Sequence, residues 1–208
     1  MVRATGDNPE QPVPAGGGGG ASGLVRLRDG SSVAVRPASA RDEPALESFL
    51  SGLCLEARRL RFFTGGADIA SAAHAVSATG PHRYGLIAHD EGGVLVGHAT
   101  YVQLDRTRAE VGVEVADHLQ GRGLGTILIE RLATVAESRG ITLFVAEVLP
   151  ENHAMLSVFH DGFDARSTFH DGTDAVEFPT ASWRLARERF GEGRRSDGRR
   201  RDEGQLEE

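Results

Sequence analysis

The segment that decides the fold is Gln120-Gly121-Arg122-Gly123-Leu124-Gly125-Thr126. Before it, apolar residues alternate over residues 109–116, and after it they recur at helical spacing until Gly140. This pattern predicts a strand, a glycine-rich turn and a helix. The first N–H groups of such a helix have no intrahelical partner and lie at the positive end of the helix dipole. The segment therefore predicts an anion-binding turn.

The residues of this turn indicate which kinds of phosphate-binding motif are possible here. Glycines at positions 121, 123 and 125 let a phosphate approach the backbone amides, and Arg122 and the Thr126 hydroxyl can add donors. A dinucleotide-binding fold is disfavoured, because Thr126 stands where the third glycine of G-x-G-x-x-G would be. The chain contains no lysine, since all 23 of its Lys and Arg residues are Arg. This absence excludes the G-x-x-x-x-G-K-[ST] phosphate loop and a Schiff-base lysine.

The composition indicates one soluble domain in a reducing compartment. The 208 residues carry a formal net charge of −7 and a single cysteine, Cys54, which permits no disulfide within the chain. We expect no nucleic acid partner, because the chain is acidic, and no membrane, because no apolar run is long enough to span one. The eight histidines are dispersed, so no metal is expected. Cys54 is expected in the core, and the expected location is the cytoplasm.

The composition divides the chain into three parts. Residues 1–22 form a Gly/Pro-rich leader and residues 184–208 a charged tail, and neither is expected to fold, whereas residues 23–183 form the folded domain. Within that domain the pattern predicts the order β-β-α-α-α-β-β-β-α-β-α-β-β, an α/β (α+β) arrangement with a mixed sheet and helices on both faces. The first two strands, residues 24–28 and 31–36, are predicted to flank a tight Asp29-Gly30 turn. The last helix is predicted over residues 152–159.

Several motifs resemble those of a known superfamily. The spacing Gln120-x-x-Gly123-x-Gly125 resembles the acyl-CoA pyrophosphate motif of the GNAT superfamily of N-acetyltransferases. The segment from Asn152 to Gly162-Phe163 resembles its second CoA-side motif, a helix that ends in Gly-Phe. More narrowly, five further blocks resemble the acetyltransferase domain of bacterial Pat-type protein lysine acetyltransferases, which acylate acyl-CoA synthetases; these are Leu27-Arg28-Asp29-Gly30, Val35-Arg36-Pro37, Leu60-Arg61-Phe62-Phe63, Val148-Leu149-Pro150-Glu151-Asn152 and Val176-Glu177-Phe178-Pro179.

The resemblance, which covers roughly residues 24–179, implies a GNAT-like, mostly antiparallel sheet and acetyl-CoA as cosubstrate, without a metal. Main-chain amides near Val113 and Val115 would bind the acetyl oxygen and pantetheine. Members of the superfamily often carry a tyrosine general acid where this chain has Phe159, so that group is not expected here. The expected cofactor-binding residues are Val113, Val115, Gln120, Gly121, Arg122, Gly123, Gly125, Thr126, Asn152 and Phe159.

Two glutamates are the candidate catalytic residues. A lysine amine is mostly protonated at neutral pH, so a base must take its proton before the nitrogen can attack a thioester. Alternation along the strand places Glu110 and Glu114 on one face. Glu110 stands ten residues before Gln120, where the Pat-type domain has its catalytic glutamate. We expect Glu110 to be the general base and Glu114 the reserve candidate, acting in orientation or in recognition of substrate charge; the alternative for each is a solvated or Arg-paired strand residue.

Three functions remain open at this stage. The first is transfer of an acetyl group to protein lysines, with an acyl-CoA synthetase as a candidate substrate. The second is acetylation of a small amine, which the glycine-rich turn does not distinguish from the first because the turn contacts only CoA. The third is a non-catalytic acyl-CoA-binding module. Glu110 argues against the third function, whereas Phe159 in the place of tyrosine keeps it open.

Overall fold

The structure of the protein is a computed structural model that describes residues 21–62 and 68–184. It contains eight strands and five helices in the predicted order. The strands are β1 (Gly23–Arg26), β2 (Ser32–Pro37), β3 (Arg83–His89), β4 (Leu95–Gln103), β5 (Arg108–Val115), β6 (Leu143–Val148), β7 (Arg166–His170) and β8 (Thr173–Pro179). The helices are α1 (Glu43–Gly52), α2 (Leu55–Phe62), α3 (Ile69–Ser77), α4 (Leu124–Ser138) and α5 (His153–Phe163).

The eight strands form a single mixed sheet in the order β1-β2-β3-β4-β5-β6-β8-β7. Every neighbouring pair is antiparallel except β5 and β6, which run parallel. A parallel pair needs a crossover between its strands, and α4 supplies it here. The prediction of a mixed, mostly antiparallel sheet is confirmed.

Helices cover both faces of this sheet. Leu86 and Ile87 are adjacent in β3 but belong to different hydrophobic clusters, as expected where successive side chains point to opposite faces. The larger cluster includes the apolar face of α4 and the aromatic side chains of α5. The smaller cluster includes the buried residues of α1 and α3. None of the described helices is long and apolar enough to cross a membrane.

The connection between β1 and β2 is longer than the predicted two-residue turn. The strands pair only as far as Arg26 and Ser32, so five residues join them. The backbone N–H of Leu27 donates to the Ser31 carbonyl at 2.8 Å, and the Asp29 carboxylate accepts from the Ser31 backbone N–H. The Leu27 side chain is buried in the core next to this connection.

Helix α5 continues past Phe159, where the predicted range ended, to Phe163, in agreement with the resemblance to a helix that ends in Gly-Phe. Both rings pack on Phe178 of β8 with centroids 5.2 Å apart, and this packing outweighs the unfavourable Gly162 within the helix. The helix ends where Asp164 adopts a left-handed conformation. Cys54, by contrast, is exposed between α1 and α2, so its predicted core position is wrong.

The predicted leader (1–22) and tail (184–208) lie almost entirely outside the described residues. Of the leader, Ala21 is described and buried, and its carbonyl accepts a hydrogen bond from Arg131 at 3.2 Å. Of the tail, Arg184 is described, and it forms an ion pair with Glu137 at 2.9 Å.

Candidate functional site

The sheet opens between its two parallel strands. Residues 108–110 of β5 pair with residues 143–145 of β6, and there the pairing ends. Beyond that point β5 continues to pair with β4, and β6 continues to pair with β8, so the two strands part. Residues 111–115 and 146–148 line the resulting cavity, whose volume is about 490 Å³.

The glycine-rich turn lies beside this opening. Gly121 and Gly123 have φ angles of 73° and 89°, in the left-handed region that glycine adopts without steric cost. Gly123 is the N-cap of α4, so the unpaired N–H groups of the first helical turn begin at the cavity wall. The predicted strand, turn and helix are confirmed, and their arrangement suits an anion such as a pyrophosphate.

Nine of the ten predicted cofactor-binding residues meet at the cavity, and Arg122 is not among its lining residues. Instead, the Arg122 guanidinium forms an ion pair with Asp29 in the β1–β2 connection. The nine lining residues are Val113, Val115, Gln120, Gly121, Gly123, Gly125, Thr126, Asn152 and Phe159. Their binding roles remain predictions.

Two polar side chains at the cavity organise the backbone around it. The Asn152 side-chain oxygen accepts a hydrogen bond from the Met155 backbone N–H at 3.1 Å, so Asn152 caps α5. The Gln120 amide donates to the Val115 carbonyl at 3.4 Å and to the Asp117 carboxylate at 3.1 Å. Gln120 thereby links the end of β5 to the turn.

Arg28 also lines the cavity, although the sequence analysis assigned it no role in binding. Its backbone N–H donates to the carbonyl of Arg122 at 3.1 Å, and its side chain passes close to Gly123. A Cβ added at Gly123 would lie 3.3 Å from the Arg28 Nε atom. The Leu27-Arg28-Asp29-Gly30 block marked this connection, but only the folded chain shows that the connection reaches the turn.

The two candidate catalytic glutamates differ in their surroundings. The sheet register confirms that they lie on one face of β5, with one alternate residue, Gly112, between them. Glu114 is only 8% exposed and lines the cavity. Glu110 is exposed, is the last residue of β5 that pairs with β6, and is not among the lining residues.

Glu114 has a buried histidine beside it that the sequence analysis did not single out. His98 of β4 lies directly opposite Glu114 in the β4–β5 register and is 1% exposed. The His98 Nε2 atom is 2.6 Å from the Glu114 Oε2 atom, and the ring packs edge-on against Phe49 of α1. The sequence contained a signal for this pairing. His98 and Glu114 are equally far along the chain from Arg106 in the hairpin loop, and antiparallel pairing around that loop places them opposite each other.

The remaining cavity wall is largely apolar. Leu53, Ala57 and Leu60 contribute side chains from the α1–α2 region. The charged residues of the lining are Arg28, Glu114, Glu147 and Asp161. Among residues 21–62 and 68–184, no group of three or more His, Cys, Asp and Glu side chains could hold a metal ion.

Comparison with known proteins gives consistent matches. The acetyltransferase (GNAT) family matches residues 55–163. The crystal structure of the GNAT domain of S. lividans PAT is 34% identical, over 76% of this chain and 96% of that one, with a TM-score of 0.69. A cAMP-binding acyltransferase from Mycobacterium smegmatis is 22% identical, over 76% of this chain and 47% of that one, with a TM-score of 0.55. A GCN5-related N-acetyltransferase from Kribbella flavida is 21% identical, over 71% and 97%, with a TM-score of 0.59.

Proposed function

This chain belongs to the GNAT acetyltransferase family, and on that premise we propose that it transfers an acetyl group from acetyl-CoA to the side-chain amine of a protein lysine. One observation carries the proposal: β5 and β6 part after Glu110, beside the N-terminus of α4. A thioester held in that opening meets backbone N–H groups on one side and an accessible cavity on the other. The acceptor enters through that cavity.

The cavity suits the parts of acetyl-CoA in order. The first turn of α4, with Gly121 and Gly123 before it, offers amides to the pyrophosphate, and Arg28 adds positive charge at the same end. The pantetheine arm lies along residues 111–115, whose β6-facing backbone groups are no longer paired with β6. The amides near Val113 and Val115 take the acetyl oxygen.

Glu110 acts as the general base in this proposal. It lies where the strands begin to part, and its exposure lets it exchange protons with bulk water. Because Glu110 lies outside the cavity lining, it reaches the amine through a bridging water. The nitrogen attacks the carbonyl carbon, the C–N bond forms, and the C–S bond breaks without a covalent enzyme intermediate.

The apolar wall supports an acceptor with a hydrocarbon stem. Leu53, Ala57 and Leu60 would contact the four methylene groups of a lysine, whose amine then reaches the thioester. The resemblance of five sequence blocks to Pat-type protein lysine acetyltransferases supports a protein acceptor, with an acyl-CoA synthetase as the candidate. The single cysteine supports a reducing compartment, the cytoplasm, as the place of the reaction.

Thiol release from acetyl-CoA tests the proposal. The purified protein is assayed with lysine peptides from an acyl-CoA synthetase, with small amines and with no acceptor. Glu110→Gln should lower turnover by a factor of about 10² to 10⁴ while acetyl-CoA affinity is nearly unchanged. Glu114→Gln should lower turnover by a smaller factor. If Glu114→Gln lowered turnover more than Glu110→Gln, the roles of the two glutamates would be wrongly assigned.

The acceptor panel separates the three functions. Release that depends on the peptides supports lysine acetylation of proteins. Release with small amines alone would replace the protein acceptor by a small-molecule one. Binding of acetyl-CoA by calorimetry without any release would identify a non-catalytic acyl-CoA-binding module.

A further inference from the structure

The buried pair formed by His98 and Glu114 has no part in the mechanism so far. A carboxyl and an imidazole lie side by side with exposures of 8% and 1%, and the closest atoms are 2.6 Å apart. Net charge is costly to bury, so such a pair favours its electrically neutral state, which contains one proton that can be given away. Glu114 is among the residues that line the cavity, and its carboxyl oxygens are buried in the cavity wall.

The proposed reaction requires a proton in this cavity. When the C–S bond breaks, the electron pair remains on sulfur, and the departing thiolate must be protonated to leave as a thiol. An arginine such as Arg28 does not give up its proton at neutral pH. The hydroxyls of Thr126 and Ser157 are weak acids, and Phe159 has no hydroxyl at all. These residues do not supply an effective proton donor.

The remaining carboxyls of the cavity lining differ from Glu114 in exposure. Glu147 and Asp161 are exposed, so water competes with the thiolate for any proton on them. Glu147 also accepts a hydrogen bond from the Thr173 hydroxyl at 2.6 Å. Glu114 is the one buried carboxyl among the lining residues that the structure describes.

We propose that Glu114 is the general acid that protonates the departing thiolate, and that His98 is the residue that positions it. This inference rests on the proposed acetyl transfer. Glu110 takes a proton from the attacking nitrogen as the C–N bond forms. Glu114 gives a proton to sulfur as the C–S bond breaks, and His98 stabilises the carboxylate left behind. Exchange with water returns Glu110 and Glu114 to their starting states, so the products are the amide and free CoA thiol.

The opposite environments of the two glutamates support this division of roles. They stand on one face of the same strand, yet Glu110 is exposed and Glu114 is buried beside an imidazole. Two carboxyl groups of one site that lie in such different surroundings can take opposite roles in proton transfer. In this proposal a single strand supplies both the base and the acid.

The test changes how much the leaving group needs a proton. Wild type and variants are assayed with acetyl-CoA and with the selenoester analogue, in which selenium replaces the thioester sulfur. A selenol is a much stronger acid than a thiol, so its anion leaves without protonation. Glu114→Gln should lower kcat about tenfold to a hundredfold with acetyl-CoA but by no more than about threefold with the selenoester. Glu110→Gln is the matched control. It should lower kcat by the same factor with acetyl-CoA and with the selenoester.

Two His98 variants test the positioning role. His98→Gln retains a side-chain N–H toward Glu114, whereas His98→Met has similar bulk and no donor. With acetyl-CoA, the Gln variant should retain more of kcat than the Met variant, and both should keep the acetyl-CoA dissociation constant. In protein without ligand, the ¹⁵N resonance of His98 Nε2, assigned by its loss in the Gln variant, should shift on Glu114→Gln.

Each outcome decides the inference. If a folded Glu114→Gln variant that binds acetyl-CoA lost kcat by the same factor with acetyl-CoA and with the selenoester, Glu114 would not be the general acid. An unchanged His98 resonance would overturn the pairing. If no amine is acetylated, the proposed function fails, but the donor comparison still applies to hydrolysis of the thioester, since water attack expels the same thiol. Absence of catalysed C–S cleavage with any acceptor would overturn both.

Discussion

The backbone N–H of Arg28 donates a hydrogen bond to the carbonyl oxygen of Arg122 at 3.1 Å. This bond, together with the ion pair between Arg122 and Asp29, joins the β1–β2 connection to the glycine-rich turn. The two arginines consequently face different ways. Arg28 lines the cavity, whereas Arg122 points to the connection.

Arg28→Gln should therefore weaken acetyl-CoA binding more than Arg122→Gln does. Removing a charged donor from beside the proposed pyrophosphate position should raise the dissociation constant about tenfold to a hundredfold, since a hydrogen bond to a charged group contributes roughly 1.5 to 3 kcal/mol. The Arg122 change removes an exposed ion pair, which is worth at most about 1 kcal/mol of folding free energy. Calorimetry measures both constants. An equal or larger effect of Arg122→Gln would contradict the placement of the two side chains.

Gly123 and Gly125 should respond differently to alanine. Gly123 has a φ of 89°, so Gly123→Ala should cost about 1 to 2 kcal/mol of unfolding free energy. Gly125 is helical, and a Cβ there would meet Val115 at an ordinary 3.9 Å, so Gly125→Ala should be neutral or stabilising by up to about 1 kcal/mol. Denaturant unfolding measures both.

The same two glycines should both be intolerant of a large side chain, because each lines the cavity. Leucine at either position should abolish acetyl-CoA binding in calorimetry. A folded Gly125→Leu variant with unchanged affinity would show that the pyrophosphate does not lie against this turn.

Protonation of the Asp42 carboxylate should lower the free energy of unfolding at acidic pH. The hydrogen bond from the Arg36 guanidinium, followed by those from Ser39, holds the pKa of the Asp42 carboxyl well below its ordinary value. A lowered folded-state pKa contributes stability that is complete above the unfolded value, near ~3.9, and is lost as the pH falls toward the folded value. The melting temperature of Asp42→Asn should thus be lower than that of wild type at pH 6, and the difference should shrink below about pH 4.

Asp171→Asn provides the control for this measurement. The Asp171 side chain is 87% exposed, so its replacement should leave the melting temperature nearly unchanged at either pH. A difference between Asp42→Asn and wild type that stayed constant down to pH 2.5 would show that the Arg36–Asp42 ion pair does not account for the acid dependence.

The protein should not acetylate its own internal residues. Self-modification is favoured when an acceptor within the same molecule reaches the thioester at high effective concentration, but this chain has no lysine side chain. After incubation of tag-free protein with acetyl-CoA, intact-mass and peptide mass spectrometry should find no acetyl group on internal residues. Cys54 is the informative position because its thiol is exposed. A stable acetyl group there would indicate a covalent enzyme route in place of direct attack.

Periodicity predicted the elements more accurately than their ends. The apolar spacing of α4 and its glycine stop depend on residues within one helix, so the start at Leu124 and the end near Gly140 were predictable. The last helix was predicted to stop at Phe159, yet it reaches Phe163 because both rings pack on Phe178 of a strand that follows later in the chain. Apolar spacing within the helix does not show such long-range packing, whereas the Gly162-Phe163 motif of the family resemblance marked the observed end.

The sequence by itself determined the order of strands and helices, the glycine-rich turn between β5 and α4, and the absence of any internal lysine acceptor. Each of these depends on local conformation or on composition, which are properties of neighbouring residues. Only the tertiary structure decided that Arg28 reaches the cavity while Arg122 pairs with Asp29, and that His98 lies against Glu114. These relations depend on strand pairing and on where β5 parts from β6, which bring together residues far apart in the chain.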